Sequence, residues 1–141
     1  MSWLARHDER LRRAAFHEAG HAVVARALGL TVEAASIRED RTTAGRVRFR
    51  VGGDRRSAER EIVVLLSGGV AEKLATGAAD ADGAASDVAA AWELLLSMAS
   101  SEERAKEWMA AAWRAAEKLV TENWSSVIQL AEALLARRSV A

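Results

Sequence analysis

The absence of proline is the feature that most restricts the folds open to this chain. None of its 141 residues is proline, and alanine-rich stretches recur along its length. Because proline interrupts helices and alanine has the highest intrinsic helix propensity, this composition predicts long, uninterrupted helices. A chain of this length buries one core, so we expect a single domain over residues 1–141.

Charge and cysteine content exclude several classes of function. The 20 Lys and Arg residues balance the 20 Asp and Glu residues, so no net charge attracts the chain to nucleic acid or to an anionic membrane. Cysteine is absent, which excludes disulfides, thiolate nucleophiles and cysteine-type zinc sites.

No apolar run reaches the roughly 18 residues of a membrane span, and the N-terminus is too charged for a secretory signal. We therefore expect a cytoplasmic protein that binds neither membrane nor nucleic acid.

The hydrophobic pattern predicts a mainly α (α+β) fold of about five to six helices with a small β-hairpin. The predicted hairpin has strands over 31–37 and 45–51, joined by a polar turn over 38–44, because Val47, Phe49 and Val51 alternate with arginines. The small and acidic residues of 77–83 predict a loop. Helical spacing predicts helices over residues 8–28, 57–75, 86–98, 102–122 and 124–137.

One short motif in the first predicted helix carries the chemistry. It is His17-Glu18-Ala19-Gly20-His21. Residues four apart lie on one face of a helix, so His17 and His21 can bind the same Zn²⁺, while Glu18 is placed to activate the attacking water. The motif predicts a zincin-like HExxH helix and a hydrolase. Since glycine within a helix costs about 1 kcal/mol relative to alanine, we also expect the position of Gly20 to need the space.

A catalytic zinc takes three protein ligands, so a further side chain must come from elsewhere in the chain. His7, the only other histidine, lies near the chain start, where fraying makes it the weaker candidate. An acidic side chain is the better candidate, and composition alone does not choose among Glu72, Asp80, Asp82, Asp87 and Glu93.

Four stretches, taken in order, resemble the protease domain of the FtsH-type, membrane-anchored ATP-dependent zinc proteases. Residues 16–29 resemble the zinc helix of that family, and 32–49 the hairpin after it. Residues 67–77 are similar to its Gly-Arg-x-Ala-Glu-Glu helix, and 83–88 to its Gly-Ala-x-x-Asp-hydrophobic segment. The resemblance implies a zinc metalloendopeptidase that acts on accessible or unfolded polypeptides.

The same resemblance implies roles for two acidic residues. Asp87 matches the aspartate that is the third zinc ligand in that family, and Glu72 matches a carboxylate that could orient a ligand histidine. By the residues alone, Asp87 would be an ordinary acidic residue near a helix N-terminus and Glu72 a solvated helix carboxylate.

The chain also departs from that family. It has no glycine-rich loop of the Walker type and no membrane anchor, so we expect no intrinsic ATPase. Lys73 replaces the second glutamate of the family's pair, and only residues 97–103 connect the Asp87 helix to the final helices. A homo-oligomer or a separate ATPase partner remains open.

Two other interpretations compete with the peptidase. One is a noncatalytic metal-binding module in which the ion acts as a structural clip or sensor. The other is a helical interaction protein whose partner surface includes Trp92, Trp108, Trp113 and Trp124, although tryptophan belongs more often to the core.

Overall fold

The computed structural model describes residues 3–37, 45–49, 55–77 and 81–140. Helices dominate it, which agrees with the predicted mainly helical class. In chain order the elements are α1 (Trp3–Ala27), β1 (Val32–Ile37), β2 (Gly45–Phe49), α2 (Arg55–Thr76), α3 (Ala81–Met98), α4 (Glu102–Glu122), α5 (Trp124–Arg137) and β3 (Ser139–Val140).

The β part of the predicted fold needs correction. Within the described ranges, β1 pairs antiparallel with β2 on one edge and with β3 on the other, in the order β2-β1-β3. The prediction of a helical domain whose only β-structure is a small hairpin is therefore wrong, because β3 adds a third strand. A strand of two residues has no periodicity to read, and its pairing with Ala35 and Ser36 is set by the tertiary fold. The predicted turn at 38–44 lies outside the described residues, as do the side chains of β2 on which its two-faced pattern rests.

Two helix starts differ from prediction by five residues each, and α2 starts at Arg55, two residues earlier than predicted. Helix α1 begins at Trp3 and not at residue 8, and α3 begins at Ala81, so the predicted loop is wrong over 81–83. Residues 78–80 lie outside the described part of the chain. Asp82 lies in the first turn of α3. The bounds of α4 and α5 agree with the predicted helices.

Helix α1 is central to the packing. It packs most extensively against α2, and it also contacts α5 and the sheet. A Cβ added at Gly20 would lie 2.6 Å from the Cβ of Ala71 and 2.7 Å from the carbonyl oxygen of Ser67. The expectation that Gly20 needs its space is confirmed, because the backbone of α2 occupies it.

The tryptophans singled out in the sequence pack against this core. Trp92, Trp108, Trp113 and Trp124 are all partly buried beside the buried hydrophobic cluster. The ring of Trp124 stacks on Phe16 with a centroid separation of 5.7 Å. In the parts of the chain that the structure covers, no helix combines the length and apolar character needed to cross a membrane.

Candidate metal centre

Two imidazoles from α1 converge on one carboxylate from α3. The Nε2 atom of His17 lies 2.8 Å from Oδ2 of Asp87, and the Nε2 atom of His21 lies 3.1 Å from the same oxygen. The two rings are one helical turn apart and nearly perpendicular, with centroids separated by 4.6 Å. The structure therefore brings together three side chains that are up to 70 positions apart in the sequence.

The donor set suits a metal ion such as Zn²⁺. Atoms of His17, His21 and Asp87 that could act as ligands all lie within 4.8 Å of one another. Ligand atoms around a tetrahedral zinc lie roughly 3.3 Å apart, so the observed N–O distances need to lengthen by only a few tenths of an ångström. Nitrogen from imidazole and oxygen from carboxylate are both established zinc ligands.

Hydrogen bonds behind the rings set which nitrogen faces the cluster. The Nδ1–H of His21 donates to the carbonyl oxygen of Val64 at 2.6 Å, and the Nδ1–H of His17 donates to Glu72 at 3.2 Å. A backbone carbonyl oxygen can only accept a hydrogen bond, so Nδ1 must be the donor in His21. A ring that carries its single proton on Nδ1 has its Nε2 lone pair available to a metal, and His17 reaches this form once its Nε2 proton has left. Glu72 is 1% exposed and lies where an orienting carboxylate would be needed.

The electrostatics of the cluster favour a positive charge beside Asp87. Burial opposes protonation of His17, but hydrogen bonds to Asp87 and Glu72 and the nearby charge of Glu18 outweigh it and raise the pKa of His17 to about 10. Burial would raise the pKa of Asp87, yet hydrogen bonds from both histidines lower it to about 2. At neutral pH the ring of His17 is therefore protonated, and its positive charge lies beside the carboxylate of Asp87.

Glu18 is buried in an unusual way. It is 6% exposed, and its Oε2 atom finds no hydrogen-bond partner within the described ranges. Burial raises the pKa of Glu18, while the charges of His21 and His17 oppose that rise. A buried polar atom without a partner costs roughly 1–3 kcal/mol, so it is normally retained for a reason. A polar ligand or water held by the cluster would supply the missing partner.

Helix α2 contributes bare backbone to the same place. A Cβ added at Gly68 would lie 2.5 Å from Nε2 of His21 and 2.7 Å from Nε2 of His17. From the sequence alone, the pair Gly68-Gly69 within the second predicted helix indicates only close helix packing. The position of Gly68 could have been found from its spacing, four residues before Glu72, which repeats the spacing of the two histidines. Val64 acts through its backbone carbonyl and therefore has no signal in the sequence.

Of the other candidates for the third ligand, Glu72 lies behind His17, on its Nδ1 side, and does not belong to the set of ligand atoms. Glu93 is exposed on α3 and does not belong to the cluster. Asp80 lies outside the described residues, and so do the side chains of His7 and Asp82, although their helices are described.

The comparisons with known proteins find no relative. No protein family model matches the chain, and no curated protein matches it. The resemblance to FtsH-type proteases therefore stays a prediction, and the site has to be judged by its own geometry.

Proposed function

We propose that this chain is a zinc-dependent metalloendopeptidase of the cytoplasm that hydrolyses peptide bonds in accessible or unfolded polypeptides. One observation carries the proposal. The Nε2 atoms of His17 and His21 meet the carboxylate of Asp87, and the buried carboxyl of Glu18 lies within the electrostatic reach of all three. Its Oε2 atom has no hydrogen-bond partner among the described residues.

Each residue of the cluster has a role in this proposal. His17, His21 and Asp87 would hold the ion, and Glu72 would keep His17 in its tautomer. When bound, zinc supplies a Lewis acid that polarises a carbonyl and lowers the pKa of water to about 7. Glu18 takes the proton of the attacking water and returns it to the leaving amine. The buried position that raises the pKa of Glu18 makes it a stronger proton acceptor than an exposed carboxylate.

The number of ligands favours a catalytic site over a structural one. Structural zinc sites are usually closed by four protein ligands, whereas catalytic sites use three and leave a position for water or substrate. Over the residues that the structure covers, the cluster offers three ligands. The side chain of Asp87 is 23% exposed, which gives solvent an approach on that side. A noncatalytic metal-binding module is the alternative that this count argues against.

The position of the sheet supports a polypeptide substrate. Strand β2 is an edge of the sheet, and α1, which carries the histidines, packs against both β1 and β2. An extended peptide that adds a strand to such an edge gains main-chain hydrogen bonds and would lie beside a strand that contacts α1. The tryptophans give less support to a partner surface, because they pack against the core.

Replacing the proposed base tests this function. The Glu18→Gln variant keeps the size of the side chain but cannot accept the proton, so we expect a loss in kcat/KM of at least roughly 100-fold with zinc content unchanged. The measurement is hydrolysis of casein and of a quenched fluorescent peptide by zinc-loaded protein, with metal content determined in parallel.

A matched control is Glu93→Gln, which removes an exposed carboxylate on α3 away from the cluster and should leave hydrolysis unchanged. Equal hydrolysis by the Glu18→Gln variant and the unaltered chain, or none by either, would favour the noncatalytic module.

A further inference from the structure

Three residues on one face of α2 lie against the imidazole rings of His17 and His21. Val64, Gly68 and Glu72 are spaced four residues apart, so they lie in one row on the helix surface. The first accepts a hydrogen bond from His21 and the last accepts one from His17. Gly68 lies between them, opposite the Nε2 atoms that face the cluster. This row of α2 therefore packs directly against the two histidines of α1.

The space at Gly68 is bounded by atoms that cannot easily retreat. An added Cβ would lie 2.5 Å from both Cε1 and Nε2 of His21 and 2.7 Å from Nε2 of His17, closer than Cβ atoms approach other heavy atoms. A ring that turned away would break its Nδ1 hydrogen bond, to a helix carbonyl in one case and to a fully buried carboxylate in the other. A methyl group here would therefore occupy space next to both coordinating nitrogens.

We propose that Gly68 is a positioning residue whose missing side chain keeps the space between α2 and the two Nε2 atoms free for the metal ion. The inference rests on the proposed metal site but not on peptide hydrolysis. Gly68 would not bind the ion itself. It would act only because it has no side chain to fill the space beside the two imidazoles.

The neighbouring glycine provides a matched control. A Cβ added at Gly69 would meet only the Cβ of Ala84 at 3.4 Å, which is an ordinary contact. Both glycines lie within α2, so replacement by alanine changes helix propensity equally at the two positions. Only the contact with the imidazoles differs between them.

The experiment compares the zinc affinity of Gly68→Ala, Gly69→Ala and the unaltered chain by competition with a chromogenic chelator, using zinc ion alone as the probe. We expect Gly68→Ala to weaken zinc binding about 10- to 100-fold, the range seen when groups that support metal ligands are lost, and Gly69→Ala to change it less than about threefold. Equal affinity in the two variants, whether both are tight or both weak, would overturn the inference.

A second pair of variants separates lost metal binding from lost folding. In a background that carries both His17→Ala and His21→Ala, the imidazoles are gone, so Gly68→Ala should leave the thermal midpoint unchanged or raise it. In the unaltered zinc-free chain the same substitution should lower that midpoint. A similar drop in both backgrounds would show that Gly68 serves helix packing and would overturn the inference. If the unaltered chain binds zinc but hydrolyses no peptide, the proposed function fails while the role of Gly68 is still tested.

Discussion

His17 is engaged at both of its ring nitrogens. Nδ1 donates to the buried carboxylate of Glu72, and Nε2 donates to Asp87 when the ring is protonated. Because both partners are acidic, both nitrogens of this ring carry a proton at neutral pH in the metal-free protein, and the pKa of His17 is raised to about 10. A metal ligand must be neutral, so this proton has to leave when an ion binds.

Zinc binding should therefore release a proton from His17. We expect about one proton to be released from this ring at pH 7, and the affinity for zinc to rise about tenfold per pH unit between roughly pH 6 and 8 from this group. Calorimetry in buffers with different ionisation enthalpies measures the release directly. The Glu72→Gln variant is the control, since Glu72 helps to hold the proton on His17 but is not one of the three proposed ligands. Zinc binding at pH 7 without proton release would contradict the assignment.

The same pKa values fix the sign of a stability effect in the metal-free protein. The pKa of His17 is raised from its usual 6.5 to about 10, so its contribution is complete below pH 6.5 and is lost as pH rises through 10. The pKa of Asp87 is lowered from 3.8 to about 2, so its contribution is present above pH 3.8 and is lost as pH falls through 2.

Local spacing made part of the site predictable. His17, Glu18 and His21 fall on one helix, so their relation follows from helix geometry alone. Asp87 comes from a helix 70 positions further along, and nothing local distinguishes it from four other acidic candidates. Only the resemblance to a known family selected it. Gly68 has no functional side chain, and its part in the site becomes visible only when α1 lies against α2.

At the scale of elements, the crossing of α1 and α2 determines the site. Gly20 brings the two helix backbones together, and the same crossing puts Val64 and Glu72 behind the imidazoles. A shift of one helix along the other would break both Nδ1 hydrogen bonds, because each acceptor is one turn away from Gly68.

A methyl group at this crossing should separate the helices. We expect Gly20→Ala to lower the free energy of unfolding of the zinc-free chain by about 1–3 kcal/mol, although alanine is the better helix former, because the new Cβ meets backbone atoms that cannot move. Urea denaturation followed by circular dichroism measures it. Gly69→Ala is the control and should be neutral or slightly stabilising. A stabilised Gly20→Ala variant would mean that the helices cross elsewhere.

Helix positions were easier to predict than the sheet. The bounds of α4 and α5 agree with the helices predicted from hydrophobic spacing. The structure adds that the side chain of Ser101 caps α4 by accepting from the backbone N–H of Arg104. Glycine misled the prediction at α3, because Gly83 was interpreted as part of a loop although it lies in the first turn of that helix. Strand β3 pairs two residues with a strand about 100 positions away, so no local pattern indicates it.

At the scale of the whole molecule, the site depends on the packed fold. Helices α1, α2 and α3 each supply part of it, and α5 and the sheet hold α1 from other sides. A site assembled this way is absent from the unfolded chain, so metal binding is expected to stabilise the fold by mass action.

The most direct test is a crystal structure of the zinc-loaded protein with anomalous diffraction measured on both sides of the zinc edge. The account predicts one anomalous peak at roughly 2.0–2.2 Å from Nε2 of His17, Nε2 of His21 and a carboxylate oxygen of Asp87. An absent peak, or an ion bound by other residues while these three keep their mutual hydrogen bonds, would contradict it.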